Sequence, residues 1–286
     1  MERVRAWLEG SRYATTLGVC AEEVGEERVR LGLPYADANS NGDKALHGGV
    51  AASLVVLAGH ALARAALGEP SGPWHTAAIQ VVYLAAALGE ATRAEGRLLR
   101  RGRELAYADV AVRSESGREV ARGQVCVRGR FGAEPAALPL ATGDDGRFDP
   151  GPMGRFIERV PFHARLGLRV EHMSGGRARI VLPAQEAHTD ACGDVNEGAL
   201  LALLDTTGAM ASWAETGHGR FKASTQCIQA RLLGPPGRGP HVGYGRVRLR
   251  DRELLFAEVE IARAADRRLV AQGAVDYRIV TPDLVR

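Results

Sequence analysis

Glu197-Gly-Ala-Leu-Leu-Ala-Leu-Leu-Asp-Thr-Thr-Gly-Ala-Met-Ala-Ser-Trp-Ala-Glu-Thr216 is the stretch around which the chain is organised. Apolar residues fall on nearly every face, and Gly217 follows as a C-terminal stop. A helix that is apolar all round is a buried helix. This one is too short and too interrupted to span a membrane. One carboxylate, Asp205, sits near its middle. A buried, unpaired carboxylate is costly, so Asp205 is either paired or functional.

A near copy lies earlier, from Gly48 to Leu67, with Gly68 as its stop. Aligning His47 with Asn196 gives an offset of 196 − 47 = 149. Under that offset Gly49 matches Gly198, Leu54 matches Leu203 and Gly59 matches Gly208, while Asp205 falls on Val56. The helices are alike in packing and unlike in chemistry. The same offset pairs Leu17-Gly18 with Leu166-Gly167, Leu33-Pro34 with Leu182-Pro183, and Arg103-Glu104-Leu105 with Arg252-Glu253-Leu254. Landmarks kept in register over such a length indicate two copies of one domain.

Each copy reads alike. A strand comes first (Glu27 to Pro34, or Arg177 to Pro183), with Val29, Leu31 and Leu33 alternating against polar or small neighbours. A polar loop leads into the buried helix. Four strands follow: Thr76–Leu84, Ala91–Arg101, Leu105–Arg113 and Glu119–Arg130 in the first copy. The second copy has Thr225–Leu233, Val242–Arg250, Leu254–Arg263 and Arg268–Val280. The last two strands of each copy read as a hairpin. One apolar helix and a run of antiparallel strands imply an α+β domain whose sheet wraps the helix. The expected division is a first domain over 1–131, a linker over 132–155 rich in Pro, Gly, Ala and Asp, and a second domain over 156–286. The two sheets are expected to join edge to edge, with the helices antiparallel on one side.

Composition bounds the function. At 286 residues, 45% hydrophobic and 25% charged, the chain has the make-up of a soluble globular protein. A net charge of +3 gives no argument for nucleic acid. Lys44 and Lys222 are the only lysines, so the positive charge is almost all arginine. Cys20, Cys126, Cys192 and Cys227 form no CxxC pair and no metal spacing, which fits a reducing cytoplasm. No signal-peptide core and no 18-residue uncharged apolar run is present, so no membrane role is expected.

The junction Asn41-Gly-Asp-Lys-Ala-Leu-His47-Gly48-Gly49 carries a resemblance. It looks like the hotdog-fold acyl-CoA thioesterases of the phenylacetate-pathway type. That family has an Asn six residues before a His-Gly-Gly, an acid nine residues after the His, and a Ser or Thr at the start of the next strand. The resemblance covers both halves, implying two hotdog domains in tandem as a pseudo-dimer. Carried over, the first copy supplies Asn41, His47, Gly48 and Gly49, with Thr76 at the strand position but Val56 at the acid position. The second supplies Asp205 and Ser224, with Asp190 at the Asn position and Asn196-Glu197-Gly198 in place of His-Gly-Gly.

Helix geometry makes this complementary loss meaningful. Nine residues put Asp205 roughly 13 Å from the start of its own helix. A base or nucleophile has to come within about 3 Å of its target. Two antiparallel helices bring each midpoint near the other's start. One shared site then combines Asn41, His47 and Gly48 with Asp205 and Ser224. The other combines Asp190, Asn196 and Glu197 with Val56 and Thr76, and lacks its base.

The implied activity is hydrolysis of an acyl-CoA thioester, with no cofactor beyond the coenzyme A of the substrate and no metal. In that reading the Gly48 N–H stabilises the oxyanion. Asp205 activates water or attacks directly. His47 and Asn41 shape the site, Ser224 positions the water or the carboxylate, and Gly49 and Thr206 contact substrate. A homodimer of such chains is compatible. The plain readings are a pre-helix His47, a structural Asp205, a strand-start Ser224, a turn residue Asn41 and a satisfied core His60. Asn196 and Glu197 also read as an N-cap and first-turn acid. Arg100, Arg101, Arg103, Arg248, Arg250 and Arg252 could meet coenzyme A phosphates or simply solvate a sheet edge. The alternatives in function are a non-catalytic acyl-CoA binding or regulatory protein and a hotdog hydratase or dehydratase.

Overall fold

The computed structural model describes residues 1–68, 72–130 and 137–282. The first half holds α1 (Glu2–Gly10), α2 (Arg12–Leu17), β1 (Cys20–Val24), β2 (Arg28–Leu33), α3 (Gly48–Leu67), β3 (His75–Tyr83), β4 (Thr92–Arg101), β5 (Leu105–Ser114) and β6 (Glu119–Arg128). The second holds α4 (Gly154–Glu158), α5 (Pro161–Leu166), β7 (Arg169–Ser174), β8 (Arg177–Leu182), α6 (Glu197–Thr216), β9 (Lys222–Leu232), β10 (His241–Asp251), β11 (Leu254–Arg263) and β12 (Leu269–Val280). All strands join one 12-stranded sheet in the order β1-β2-β4-β5-β6-β3-β9-β12-β11-β10-β8-β7. Six strands come from each half, wrapped about that half's long helix. The architecture is α+β, with two hotdog repeats side by side.

The seam is the antiparallel pair β3–β9, in which Gln80 faces Gln229, Ile79 faces Ala230 and Val81 faces Ile228. Since 80 + 149 = 229, the two glutamines are repeat equivalents. A pseudo-two-fold axis therefore passes between them, the signature of an isologous contact. Joining β3 to β9 also removes two sheet edges that would otherwise expose unpaired backbone groups.

Both long helices lie on one face of this sheet. Their antiparallel course follows from what their starts touch. A Cβ built on Gly49 would lie 2.9 Å from the Cα of Ala202, and one on Gly198 would lie 3.0 Å from Ser53 Oγ. Ser53 Oγ donates to Gly49 O at 2.7 Å and Gly198 O at 3.1 Å, tying the two helix starts together, and the Tyr13 hydroxyl lies 2.8 Å from it. By length and composition alone α3 could cross a membrane, although Arg64 interrupts its uncharged run; it is buried here as a core helix.

The long helices and ten strands follow the sequence pattern within a few residues. The sequence reading passed over β1, β7 and the four short helices. β1 is an edge strand with no alternating burial, so it carries no period-two signal. The short helices span five to nine residues, too few for a helical period to stand out. Of the expected linker, residues 132–136 lie outside the described residues. The remainder is docked on the sheet face away from α6. Pro139 O accepts from Leu269 N at 2.8 Å, Ala141 packs with Val242 and Tyr244, and the Glu260 carboxylate accepts from the amides of Thr142 and Gly143 at 2.8 Å.

Gly59 and Gly208, equivalent under the repeat, set the helix-to-sheet distance. A Cβ on Gly59 would meet Val125 at 2.9 Å, and one on Gly208 would meet Val275 at 2.5 Å. Gly208→Ala should therefore destabilise the chain by about 1–3 kcal/mol through overpacking, despite alanine's better helix propensity. Urea unfolding reads this as a lower midpoint at unchanged slope.

Candidate active site at the start of α3

His47 ends the polar loop with extended backbone (φ −67, ψ 140) and caps α3: its Nδ1 accepts from Gly49 N at 3.0 Å. The amides of Val50 and Ala51 bond to His47 O at 2.9 and 3.2 Å. Of the first-turn amides, Gly48 N–H is left without an acceptor among the described residues, as helix geometry makes natural. Against this turn lies Asp205, 2 % exposed in the middle of α6. A Cβ on Gly48 would fall 2.7 Å from Asp205 Oδ2 and 3.4 Å from the Tyr83 ring. The start of one helix and the carboxylate of the other are in contact, as the antiparallel argument requires.

Asp205 Oδ1 accepts from the Thr225 hydroxyl at 2.7 Å. Oδ2 has no hydrogen-bond partner among the described residues. Burial raises the Asp205 pKa to about 6, opposed in part by the Thr225 hydrogen bond. The Tyr83 hydroxyl donates to Gly48 O at 3.2 Å. Burial, and then the nearby Asp205 charge, hold the Tyr83 phenol well above its ordinary pKa. The phenol is therefore a neutral donor throughout the working range.

Two expected residues lie elsewhere. Ser224 is exposed on β9, and its Oγ accepts from Gln226 Nε2 at 2.8 Å. β9 starts at Lys222, earlier than the sequence suggested, so the strand alternation turns Ser224 outward and its neighbour Thr225 inward. Thr225 is also the true repeat equivalent of Thr76 (76 + 149 = 225). Asn41 is exposed too; its Oδ1 accepts from Asp43 N at 3.1 Å in an ordinary side-chain turn. Thr206 is buried beside Asp205, its hydroxyl 3.3 Å from His163 Nε2. His163 also lies 2.9 Å, Nε2 to Nε2, from His47. Sequence reasoning missed Tyr83, His163 and Thr225. Tyr83 continues the inward run Ile79, Val81, and Thr225 follows from the strict offset; His163, on a six-residue helix, carried no local signal.

The pseudo-equivalent junction is built differently. Glu197 Oε2 lies 2.8 Å from His60 Nε2, Oε1 lies 2.8 Å from His75 Nδ1, and both oxygens accept from Thr76 N at 3.2 Å. Burial acts to raise this carboxyl, but the two imidazoles outweigh it and hold Glu197 well below the usual carboxylate range. His60 is thus a satisfied core histidine, and its partner is Glu197. Val56 is buried at the acid position. Three donors, two imidazoles and one shared amide, hold both Glu197 oxygens in place.

A third feature, an open cleft of about 640 Å³, lies on the opposite sheet face, lined by Gln80, Gln124, Gln229 and Tyr107 among others. The thickness of the sheet separates it from Asp205. Among the described residues no cluster of His, Cys, Asp and Glu could hold a metal ion, and all four cysteines are unpaired.

Residues 44–121 match the family profile of the Thioesterase superfamily, a span running from the loop before α3 into β6. A Halobacterium salinarum protein that carries an esterase name is 29% identical over 113 residues, covering 38% of this chain and 74% of that protein. Several solved structures share the fold over nearly the full length. A Novosphingobium aromaticivorans protein with a thioesterase name aligns at a TM-score of 0.66 and 17% identity, covering 91% of this chain and 98% of that one. The tesB protein of Mycobacterium avium subsp. paratuberculosis aligns at 0.64 and 12%, covering 98% and 99%. A protein of unknown function from Alicyclobacillus acidocaldarius, described as having a hot dog fold, aligns at 0.61 and 17%, covering 88% and 94%. Residues 44–121 are therefore similar to the Thioesterase superfamily, and the chain as a whole has the hotdog fold. The family match includes Gly48 and ends before Asp205.

The two carboxylates should respond oppositely to removal. Asp205 has a raised folded pKa, so folding takes up a proton between about pH 4 and 6 and stability falls as pH rises through that window. A shift of about two pKa units corresponds to about 3 kcal/mol, so Asp205→Asn should be as stable as the parent at pH 7 or more so, by up to that amount. Glu197 has a depressed folded pKa; its contribution is complete at neutral pH and is lost as pH falls. Glu197→Ala should cost about 3–5 kcal/mol by stranding the buried His60 and the half-buried His75. Thermal and urea unfolding at pH 7 and pH 4.5 measure both.

Proposed function

We propose that the chain hydrolyses an acyl-CoA thioester at one composite site per chain, between the start of α3 and the middle of α6. The observation that carries this reading is the contact between Gly48 and Asp205 Oδ2, with the carboxylate half-occupied by Thr225 and the Gly48 N–H unclaimed.

The carbonyl oxygen takes the Gly48 N–H, backed by the α3 dipole. Asp205 Oδ2 accepts a proton from water as that water attacks the carbonyl carbon. The C–S bond then breaks and the coenzyme A sulfur leaves with the proton. Direct attack by Asp205 would give an anhydride that water opens; both routes draw on the same carboxylate. Thr225 holds Oδ1 so that Oδ2 faces the substrate. A pKa near 6 suits this work: the group is ionised at neutral pH and more basic than an ordinary aspartate. The domain bounds, the cytoplasmic setting and an assembly of two chains accompany this reading as proposals.

Turnover, pH dependence and binding stoichiometry each test it. With acetyl-, hexanoyl-, lauroyl- and phenylacetyl-CoA as a panel, thiol release should be seen for at least one. For that substrate Asp205→Asn should lower kcat at least about a hundredfold with the fold intact, and near-normal turnover would remove Asp205 from the mechanism. The kcat/KM profile should fall below a limb near pH 6, as protonation of Asp205 removes the base. Gly48→Ala puts a Cβ against Oδ2 and should lower kcat, while Glu197→Gln leaves it within a few-fold. A non-hydrolysable acyl-CoA thioether should saturate at one equivalent per chain by calorimetry; two equivalents would mean that the Glu197 junction also binds.

A further inference from the structure

The two helix caps are not equivalent. At α6 the cap is Asn196, whose Oδ1 accepts from Gly198 N at 2.8 Å while Nδ2 donates to Ser11 Oγ at 3.3 Å. An amide has a fixed acceptor and a fixed donor. At α3 the cap is His47, and an imidazole can accept the Gly49 N–H only if its proton sits on Nε2. Something has to impose that tautomer.

His163 is placed to do so. Its Nδ1 lies 2.9 Å from Ile157 O, a carbonyl that can only accept, so Nδ1 carries the proton and Nε2 is a bare acceptor. His163 Nε2 lies 2.9 Å from His47 Nε2, which must then be the donor. The Thr206 hydroxyl, next to Asp205, points at the same lone pair at 3.3 Å. The directions are consistent from end to end: Gly49 N–H to His47 Nδ1, His47 Nε2–H to His163 Nε2, His163 Nδ1–H to Ile157 O. Both rings are buried, and burial holds both neutral, His163 near 4 and His47 well below its ordinary value. Under the repeat offset the counterpart of His163 is Ala14 and that of Thr206 is Leu57. The fixing imidazole occurs only where the cap is itself an imidazole.

We infer that His163 is a positioning residue: by accepting from His47 it locks the tautomer that commits the Gly49 N–H to the cap and leaves the Gly48 N–H to meet the substrate carbonyl. The inference rests on the hydrolase reading above for its catalytic consequence, and on the hydrogen-bond directions alone for the tautomer. With the His47 proton on Nδ1, two donors would face each other at Gly49, and the first turn of α3 would shift.

The test compares His163→Leu, which keeps bulk without an acceptor, with His163→Gln, whose side-chain oxygen can accept from His47. Nitrogen-15 correlation spectra of the full chain at pH 7 should show His47 protonated at Nε2 alone in the parent and in His163→Gln. In His163→Leu they should show a mixture or the Nδ1 form. On the fastest-cleaved acyl-CoA of the panel, His163→Leu should lose at least about tenfold in kcat, less than the roughly hundredfold or more that outright loss of an oxyanion donor produces. KM should stay within about twofold, and His163→Gln should recover most of the loss. An unchanged His47 tautomer in His163→Leu overturns the inference. So does parental kcat in His163→Leu when Asp205→Asn is inactive. Panel-wide inactivity with the tautomer lost in His163→Leu would fault the hydrolase reading and leave the positioning role supported.

Discussion

Everything in this molecule depends on two helices that have no face to give to water. α3 and α6 are apolar nearly all round, so each needs cover on every side. A single six-stranded sheet covers one side of one helix. Placing the helices against each other, Gly49 on Ala202 and Ser53 between the two starts, covers the next. That contact brings the two halves together, aligns β3 with β9 and makes the sheet continuous. It also fixes where chemistry can occur, because only antiparallel helices bring a helix start, with its free N–H groups, to a mid-helix side chain.

The same constraint produces two junctions, and the chain resolves them differently. Both keep a threonine from the central strands and both keep a carboxylate. At one, Asp205 reaches across from the opposite helix, has a single hydroxyl partner and is pushed up by burial. At the other, Glu197 comes from the helix start itself, is met by two imidazoles and a backbone amide, and is pulled down. A carboxylate with spare capacity is suited to accepting a proton. A carboxylate with both oxygens engaged is suited to holding two halves together. Environment, more than residue type, separates the two roles.

The fold was legible in the sequence because its signals are long. Twenty-residue apolar helices and ten-residue alternating strands accumulate periodicity, and the constant offset of 149 doubles every observation. The juxtaposition of Gly48 with Asp205 was legible for the same reason, since helix rise alone forces it. What escaped were features that depend on one residue of register or on contacts far apart in the chain. Ser224 and Thr225 differ by one position, and in a strand that decides which face a side chain takes. Asn41 matched a motif by spacing, yet its side chain closes its own turn. His163 comes 116 residues after His47, on a helix too short to read, and nothing local marks it.

Joining the halves in one chain is what lets them differ. In a symmetric dimer of single domains, each substitution falls on both junctions at once. A valine in place of the mid-helix acid would then remove both such carboxylates, and an ion-paired glutamate would fill both helix starts. Here Val56 and Glu197 fall on one junction, while Gly48 and Asp205 fall on the other. The ion-paired glutamate and the carboxylate with spare capacity therefore sit at equivalent junctions without competing. A buried, underpartnered Asp205 costs folding energy, and the fully partnered Glu197 junction can offset that cost at the symmetry-related place. The asymmetry between the two caps follows from the same freedom. Asn196 closes a junction that needs only to be closed. His47 closes one whose first amide is left without an acceptor among the described residues, and its second ring nitrogen meets His163.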